Sequence, residues 1–110
     1  MIEKTIFDFL NERNIQAYME VTPDMPEEYV LIEKTGGGES DGIKYATIAI
    51  QSFSTSLFRT ATLNEKLKDV MRDCIALDSI CKCELNSDYN YTDTQRKKYR
   101  YQAVFDITYY

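Results

Sequence analysis

The chain contains no histidine, so it lacks the side chain that most often serves as a general base or zinc ligand near neutral pH. Its three cysteines, Cys74, Cys81 and Cys83, are an odd number. No Cys-x-x-Cys pair occurs, and a strand would hold Cys81 and Cys83, two apart, too far from each other to bridge. All three therefore read as reduced thiols in a cytoplasm, acting as small buried hydrophobes, and no metal or other cofactor is expected. Proline occurs only at Pro23 and Pro26, and all four glycines fall between Gly36 and Gly42, so backbone punctuation is confined to two places. No stretch approaches the roughly 20 apolar residues of a membrane span. Glu3, Lys4 and Asp8 stand where a secretion signal would be apolar. The expectation is no membrane partner and retention in the compartment of synthesis. Cations are also scarce: 13 Lys and Arg against 18 Asp and Glu leave a net charge of −5, which excludes broad affinity for nucleic acid unless a local basic patch exists.

What is present suits one modest globular domain over residues 1–110, with 44% apolar and 28% charged residues and nine Tyr and five Phe. Ile2, Ile6, Phe7 and Leu10 have the spacing of an amphipathic helix from Ile2 to Arg13, ended by Asn14. Ile15, Ala17, Met19 and Val21 alternate as a first strand, which the two prolines stop; Thr22 to Glu27 is a loop. The apolar run Tyr29-Val30-Leu31-Ile32 within Tyr29–Lys34 reads as a central strand covered on both faces. Ile43 to Phe53 is the next strand. Ser54-Thr55-Ser56 can cap the longest helix, which places Leu57, Ala61, Leu63, Leu67, Val70, Met71 and Cys74 on its inner side. After Asp78-Ser79, strands Ile80–Tyr91 and Lys97–Tyr109 pair through Thr92-Asp93-Thr94-Gln95. The fold class is α+β: a mixed or antiparallel sheet of about five strands with two helices, in the order α-β-β-β-α-β-β. In the last strand Tyr99, Tyr101, Ala103, Phe105, Ile107 and Tyr109 share a face. The chain ending at Tyr110 suggests a terminal strand whose rim meets a neighbour.

Thr35-Gly36-Gly37-Gly38-Glu39-Ser40-Asp41-Gly42 reads as a hairpin connection longer than a tight turn. A phosphate loop would need Gly-Lys-Ser/Thr, and Glu39 and Asp41 would repel an anion. Two readings stay open for Gly36, Gly37, Gly38, Glu39, Asp41 and Gly42: a plain exposed loop, or a mobile loop that orders against a partner. Asp88 to Asp93 imitates the start of a calcium loop, but Asp93 replaces the sixth-position glycine and Tyr99 the twelfth-position glutamate. The carboxylates Asp24, Glu27, Glu28, Glu33, Glu39 and Asp41 lack a His or any nucleophile-plus-base arrangement and read as a solvated acidic surface, so no enzymatic activity is expected. Arg96, Lys98 and Arg100 alternate onto one strand face as the only basic patch. They could touch DNA phosphates, dock on an acidic neighbour, or be solvated edge charges.

The glycine-rich hairpin after Glu28-Tyr29-Val30-Leu31-Ile32-Glu33-Lys34, the phrase Ala49-Ile50-Gln51-Ser52-Phe53 leading to Leu63-Asn64-Glu65-Lys66, and the closing Lys98 to Tyr110 carry a resemblance over nearly the whole chain. The sequence resembles the tail-terminator, or tail-to-head joining, proteins of long-tailed bacteriophages and prophages of Gram-positive bacteria. The resemblance implies a small α+β domain assembled as a hexameric ring on the head-proximal end of the tail tube. That ring stops the tail-tube protein from polymerising and meets the head-completion or connector protein, while DNA passes through without specific binding. It implies a location in the host bacterial cytoplasm during assembly and then in the virion tail or neck. Two other readings stand beside it: a head-completion or stopper ring of the same neck, and a small ligand-binding or regulatory module with a pocket between helices and sheet.

Overall fold

The computed structural model describes residues 1–110. The fold is α+β, with helices α1 (Ile2–Glu12) and α2 (Leu57–Arg72) and strands β1 (Ala17–Tyr18), β2 (Tyr29–Ser40), β3 (Ile43–Phe53), β4 (Ile80–Asn90) and β5 (Arg100–Tyr109). A short 3-10 turn, Asp73–Ala76, links α2 to β4. The strands form one mixed sheet in the order β1-β2-β3-β5-β4, in which only the β1–β2 pair is parallel.

Both helices pack against the same sheet face. Along β3 and β5 the pairs Ala46–Ile107, Ile48–Phe105 and Ile50–Ala103 lie directly opposite, and these six residues join Val30 and Ile32 of β2 in one buried core with Ile6, Leu10, Leu67 and Met71 of the helices. Period-2 alternation in the strands thus meets period-3.6 stripes in the helices. Two helix stripes differ from expectation. In α1 Phe9 is buried and Phe7 only partly, because a wide stripe includes the residue next to Leu10. In α2 the buried side begins at Thr60; Leu57 is exposed and Ala61 half-buried. The cap itself is as read: the Ser56 hydroxyl accepts from the Arg59 N–H at 3.1 Å.

The glycine-rich segment is not a loop. β2 continues through Gly36, Gly37 and Gly38, paired with Thr47, Ala46 and Tyr45 of β3. Thr35 is accommodated by a bulge between Lys34 and Gly36, with its hydroxyl 3.4 Å from the Thr47 carbonyl. The connection is a two-residue turn, Asp41-Gly42, with φ of 53° and 80°, the left-handed pair of a type I′ hairpin. Gly38 has its own reason: a Cβ there would lie 2.7 Å from the Tyr45 ring, so the aromatic ring lies over the glycine. Removing Gly36 to Gly38 would therefore delete ladder pairs rather than shorten a loop.

Three further expectations are corrected. β1 shrinks to two residues, and Met19 and Val21, beyond the last pair Tyr18–Leu31, are exposed. β2 is not central; that place belongs to β3, and beyond Leu31 the outer edge of β2 has no partner. The terminal strand presents no rim, because β5 lies between β3 and β4.

One partly buried ion cluster ties α2 to β4. The Lys68 ammonium, 13% exposed, sits 2.8 Å from Glu65 and 2.9 Å from Asp88. The hydrogen bonds to Glu65 and Asp88 raise its pKa above the ordinary lysine value. A raised folded-state pKa contributes stability that is complete below the unfolded lysine value of about 10.4 and lost as pH rises through the folded value. Lys68→Met is expected to cost about 1 kcal/mol at neutral pH, the difference from wild type narrowing above pH ~10.5 in denaturant titrations. The turn gives a second test. Gly42→Ala forces a Cβ into the left-handed region and should cost about 1 kcal/mol, several degrees of Tm. Gly36→Ala, where the nearest atom to a Cβ is 3.9 Å away, should leave Tm unchanged or raise it when both are compared by calorimetry.

Candidate functional site

The two ends of the β2–β3 hairpin have different chemistry. At the open end Tyr29 and Phe53 are register partners, and their rings stack at 4.8 Å between centroids and 17° between planes. Tyr18 meets Tyr29 edge-on at 6.0 Å. Burial raises the Tyr29 pKa, so its phenol stays protonated.

The β4–β5 connection delivers cations to this aromatic pair. Asp93 and Lys98 exchange backbone hydrogen bonds of 3.0 and 3.1 Å, and the Asp93 carboxylate accepts the N–H groups of Gln95 and Arg96, both at 3.2 Å. These bonds close a tight turn in which Lys97 takes a φ of 52°. Arg96 is thus in a turn and Lys98 in the isolated bridge to Asp93 that closes it, neither on the face of β5, which begins only at Arg100. The local hydrogen-bonding capacity of Asp93 outcompetes the alternation that the sequence shows. The turn places Arg96, Lys97 and Lys98 around an open cleft of about 430 Å³, also lined by Tyr29, Phe53 and Tyr99. The Lys98 ammonium lies 5.3 Å from the Phe53 ring centroid, within cation–π range.

Charge compensation at the cleft is poor. Arg96 reaches Asp93 only at 3.9 Å, and neither Lys97 nor Lys98 has a carboxylate within 4.0 Å. Glu27 is the one acidic residue on the lining, which also includes Ser54 and Thr55. Arg100 is not part of the cleft. Its Nε donates to the Tyr91 carbonyl at 2.7 Å and its guanidinium lies 4.3 Å from the Tyr91 ring centroid, so the side chain is committed within its own hairpin.

At the other end of the hairpin Glu39, Ser40, Asp41, Gly42, Lys44 and Tyr45 are all exposed. Glu39 stands opposite Lys44 in the ladder. Tyr110 lies near this end: its N–H donates to the Ser79 carbonyl at 3.0 Å, and its phenol O–H donates to the Cys81 sulfur, which raises the phenol pKa. The candidate residues therefore divide between the two ends of the molecule, Gly36 to Gly42 and Tyr110 at one, Arg96 and Lys98 at the other.

The thiols also divide. Cys74 is buried, Cys83 half-buried and Cys81 exposed, which corrects the reading of all three as core residues. The Cys83 thiol hydrogen-bonds Cys74, which lowers the Cys74 pKa, while that bond and burial push Cys83 up. No group of three or more Cys, Asp or Glu side chains converges to hold a metal ion, and no helix is long and apolar enough to cross a membrane. Between α2 and β4 a hollow of about 120 Å³ is lined by Met71, Cys83, Leu85 and Phe105 among others, below the size of ordinary small-molecule pockets.

Sequence reasoning missed Lys97, which strict alternation assigns to the opposite face, and the Tyr29–Phe53 pair, which only register brings together. It also missed Phe58, 81% exposed on the first turn of α2. The Arg96-Lys97-Lys98 run was the available signal for the cleft. No family model matches this chain, and no curated protein is significantly similar to it.

Proposed function

We propose that the protein is a structural subunit of a long-tailed bacteriophage or prophage, a tail terminator that works by contact rather than chemistry. It assembles as a ring, a hexamer in this reading, on the head-proximal end of the tail tube, stops polymerisation of the tube protein, and offers its other side to the head-completion or connector protein. Assembly takes place in the host bacterial cytoplasm, and the ring ends in the virion neck.

The observation that carries this reading is the one-sided sheet. In the order α-β-β-β-α-β-β both helices cover one face, which leaves most of the other face and stretches of both sheet edges free for neighbours. The unpaired outer edge of β2 beyond Leu31 and the edge strand β4 lie on opposite sides of the sheet, an arrangement suited to heterologous contacts that propagate around an axis. The net charge of −5 favours a lumen through which DNA slides without sticking.

Deleting the gene from its phage should yield tubes of irregular and excessive length without heads, seen by negative-stain electron microscopy, and supplying the protein in trans should restore regular joined particles. Tails of regular length that fail to join heads would favour the head-completion ring instead. Normal particles without the gene would overturn both.

A further inference from the structure

We infer that copies of this chain join head to tail, the Glu39–Gly42 turn of one copy seated in the Arg96–Lys97–Lys98 cleft of the next. The inference deepens the ring reading by naming its contact, and rests on that reading only for closure of the chain of copies into a ring.

Geometry excludes the internal alternative. β3 runs from Ile43 beside the turn to Phe53 beside the cleft, ten residue steps or about 33 Å. The turn cannot reach its own cleft. Two patches at opposite ends of one rigid hairpin can meet only between molecules, and because they are different patches the contact is heterologous and repeats.

Charge selects the occupant. The cleft gathers three adjacent cations whose only ion partner is Asp93 at 3.9 Å, in a chain whose net charge is −5. Glu39 and Asp41 are exposed, and neither makes an ion pair within its own chain. Lys44 stands opposite Glu39 in the ladder, and the Lys34 side chain lies along the strand beside Gly37; neither forms an ion pair with the turn. Acid presented at one end therefore answers base presented at the other.

Shape agrees. A type I′ turn is the narrowest connection a hairpin can have, and nothing lies within 4 Å of where a Gly42 side chain would begin. The cleft of about 430 Å³ is open and roomy enough to admit such a turn. Exposed ion pairs are individually weak, so a single contact dissociates readily and closure supplies the effective concentration that holds the assembly.

The test is disulfide trapping of the full chain. Ser40→Cys and Arg96→Cys, introduced together with Cys81→Ser, put one exposed thiol at each end and keep Glu39, Asp41, Lys97 and Lys98. Circular dichroism establishes that each variant is folded. Mild oxidation at millimolar protein should give a ladder of dimers, trimers and higher species on non-reducing gels. Adding Lys97→Glu and Lys98→Glu should reduce the ladder about tenfold or more, as should Glu39→Lys with Asp41→Lys, and all four reversals together should restore it. No ladder, or a ladder indifferent to both reversals, overturns the inference. A short DNA duplex retained by the parent protein and released by Lys97→Glu with Lys98→Glu, with no ladder, would assign the cleft to phosphate and overturn it too. A charge-dependent ladder that runs on without closing keeps the contact and removes the ring.

Discussion

Everything in this molecule depends on a sheet that carries helices on one face only. Ile48 and Ile50 of β3 and Phe105 and Ile107 of β5 provide the apolar floor, and Ile6, Leu10, Leu67 and Met71 close it from above. Burying these side chains is the main favourable term available to a domain of this size. A Leu67→Ala change would remove both its contacts and the space it fills, a loss of roughly 2–5 kcal/mol. Both helices lie on one face; on the other, the β4–β5 turn reaches over the buried Tyr29–Phe53 pair at one end and leaves the rest without a helical cover.

Away from Ala49 and the Tyr29–Phe53 pair, which are buried, the helix-free face carries a network of polar side chains. Gln51 and Gln102 hydrogen-bond across β3 and β5 at 2.8 Å, the Gln102 amide reaches the Tyr89 hydroxyl, and Asp106 accepts from Thr47 and Asn86 at 3.3 and 2.9 Å. This ladder of side chains stiffens the sheet without demanding a lid. Stiffness matters at the hairpin, where β3 is paired on both sides as far as Lys44. The acidic turn is therefore held at a defined distance from the basic cleft, and the two cannot neutralise each other within one chain.

Local chemistry sets what each end of that hairpin offers. Asp41 and Gly42 accept the left-handed backbone that a narrow turn requires. Asp93 does the corresponding work at the β4–β5 connection by capping the N–H groups of Gln95 and Arg96, which forces three consecutive cations to project around one opening. Arg100 shows the alternative fate of a cation: with a backbone carbonyl and an aromatic ring in reach, it is satisfied at home and has nothing left for a partner.

The sequence by itself determined the element order, the α+β class, the Ser56 cap and the alternation of Ala103, Phe105 and Ile107, because periodicity and capping are local properties that tertiary packing here reinforces. The Asp41-Gly42 turn was also legible as an Asp-Gly pair, but three preceding glycines obscured it, since a glycine-rich strand looks like a loop until its partner is known. Only the tertiary structure decided that β3 rather than β2 is central, that the last strand has neighbours on both sides, and that Tyr29, Phe53 and Lys98 meet. Those outcomes depend on which strands pair and in what register. Pairing is settled by long-range burial of one whole face, an energy that no window of neighbouring residues contains.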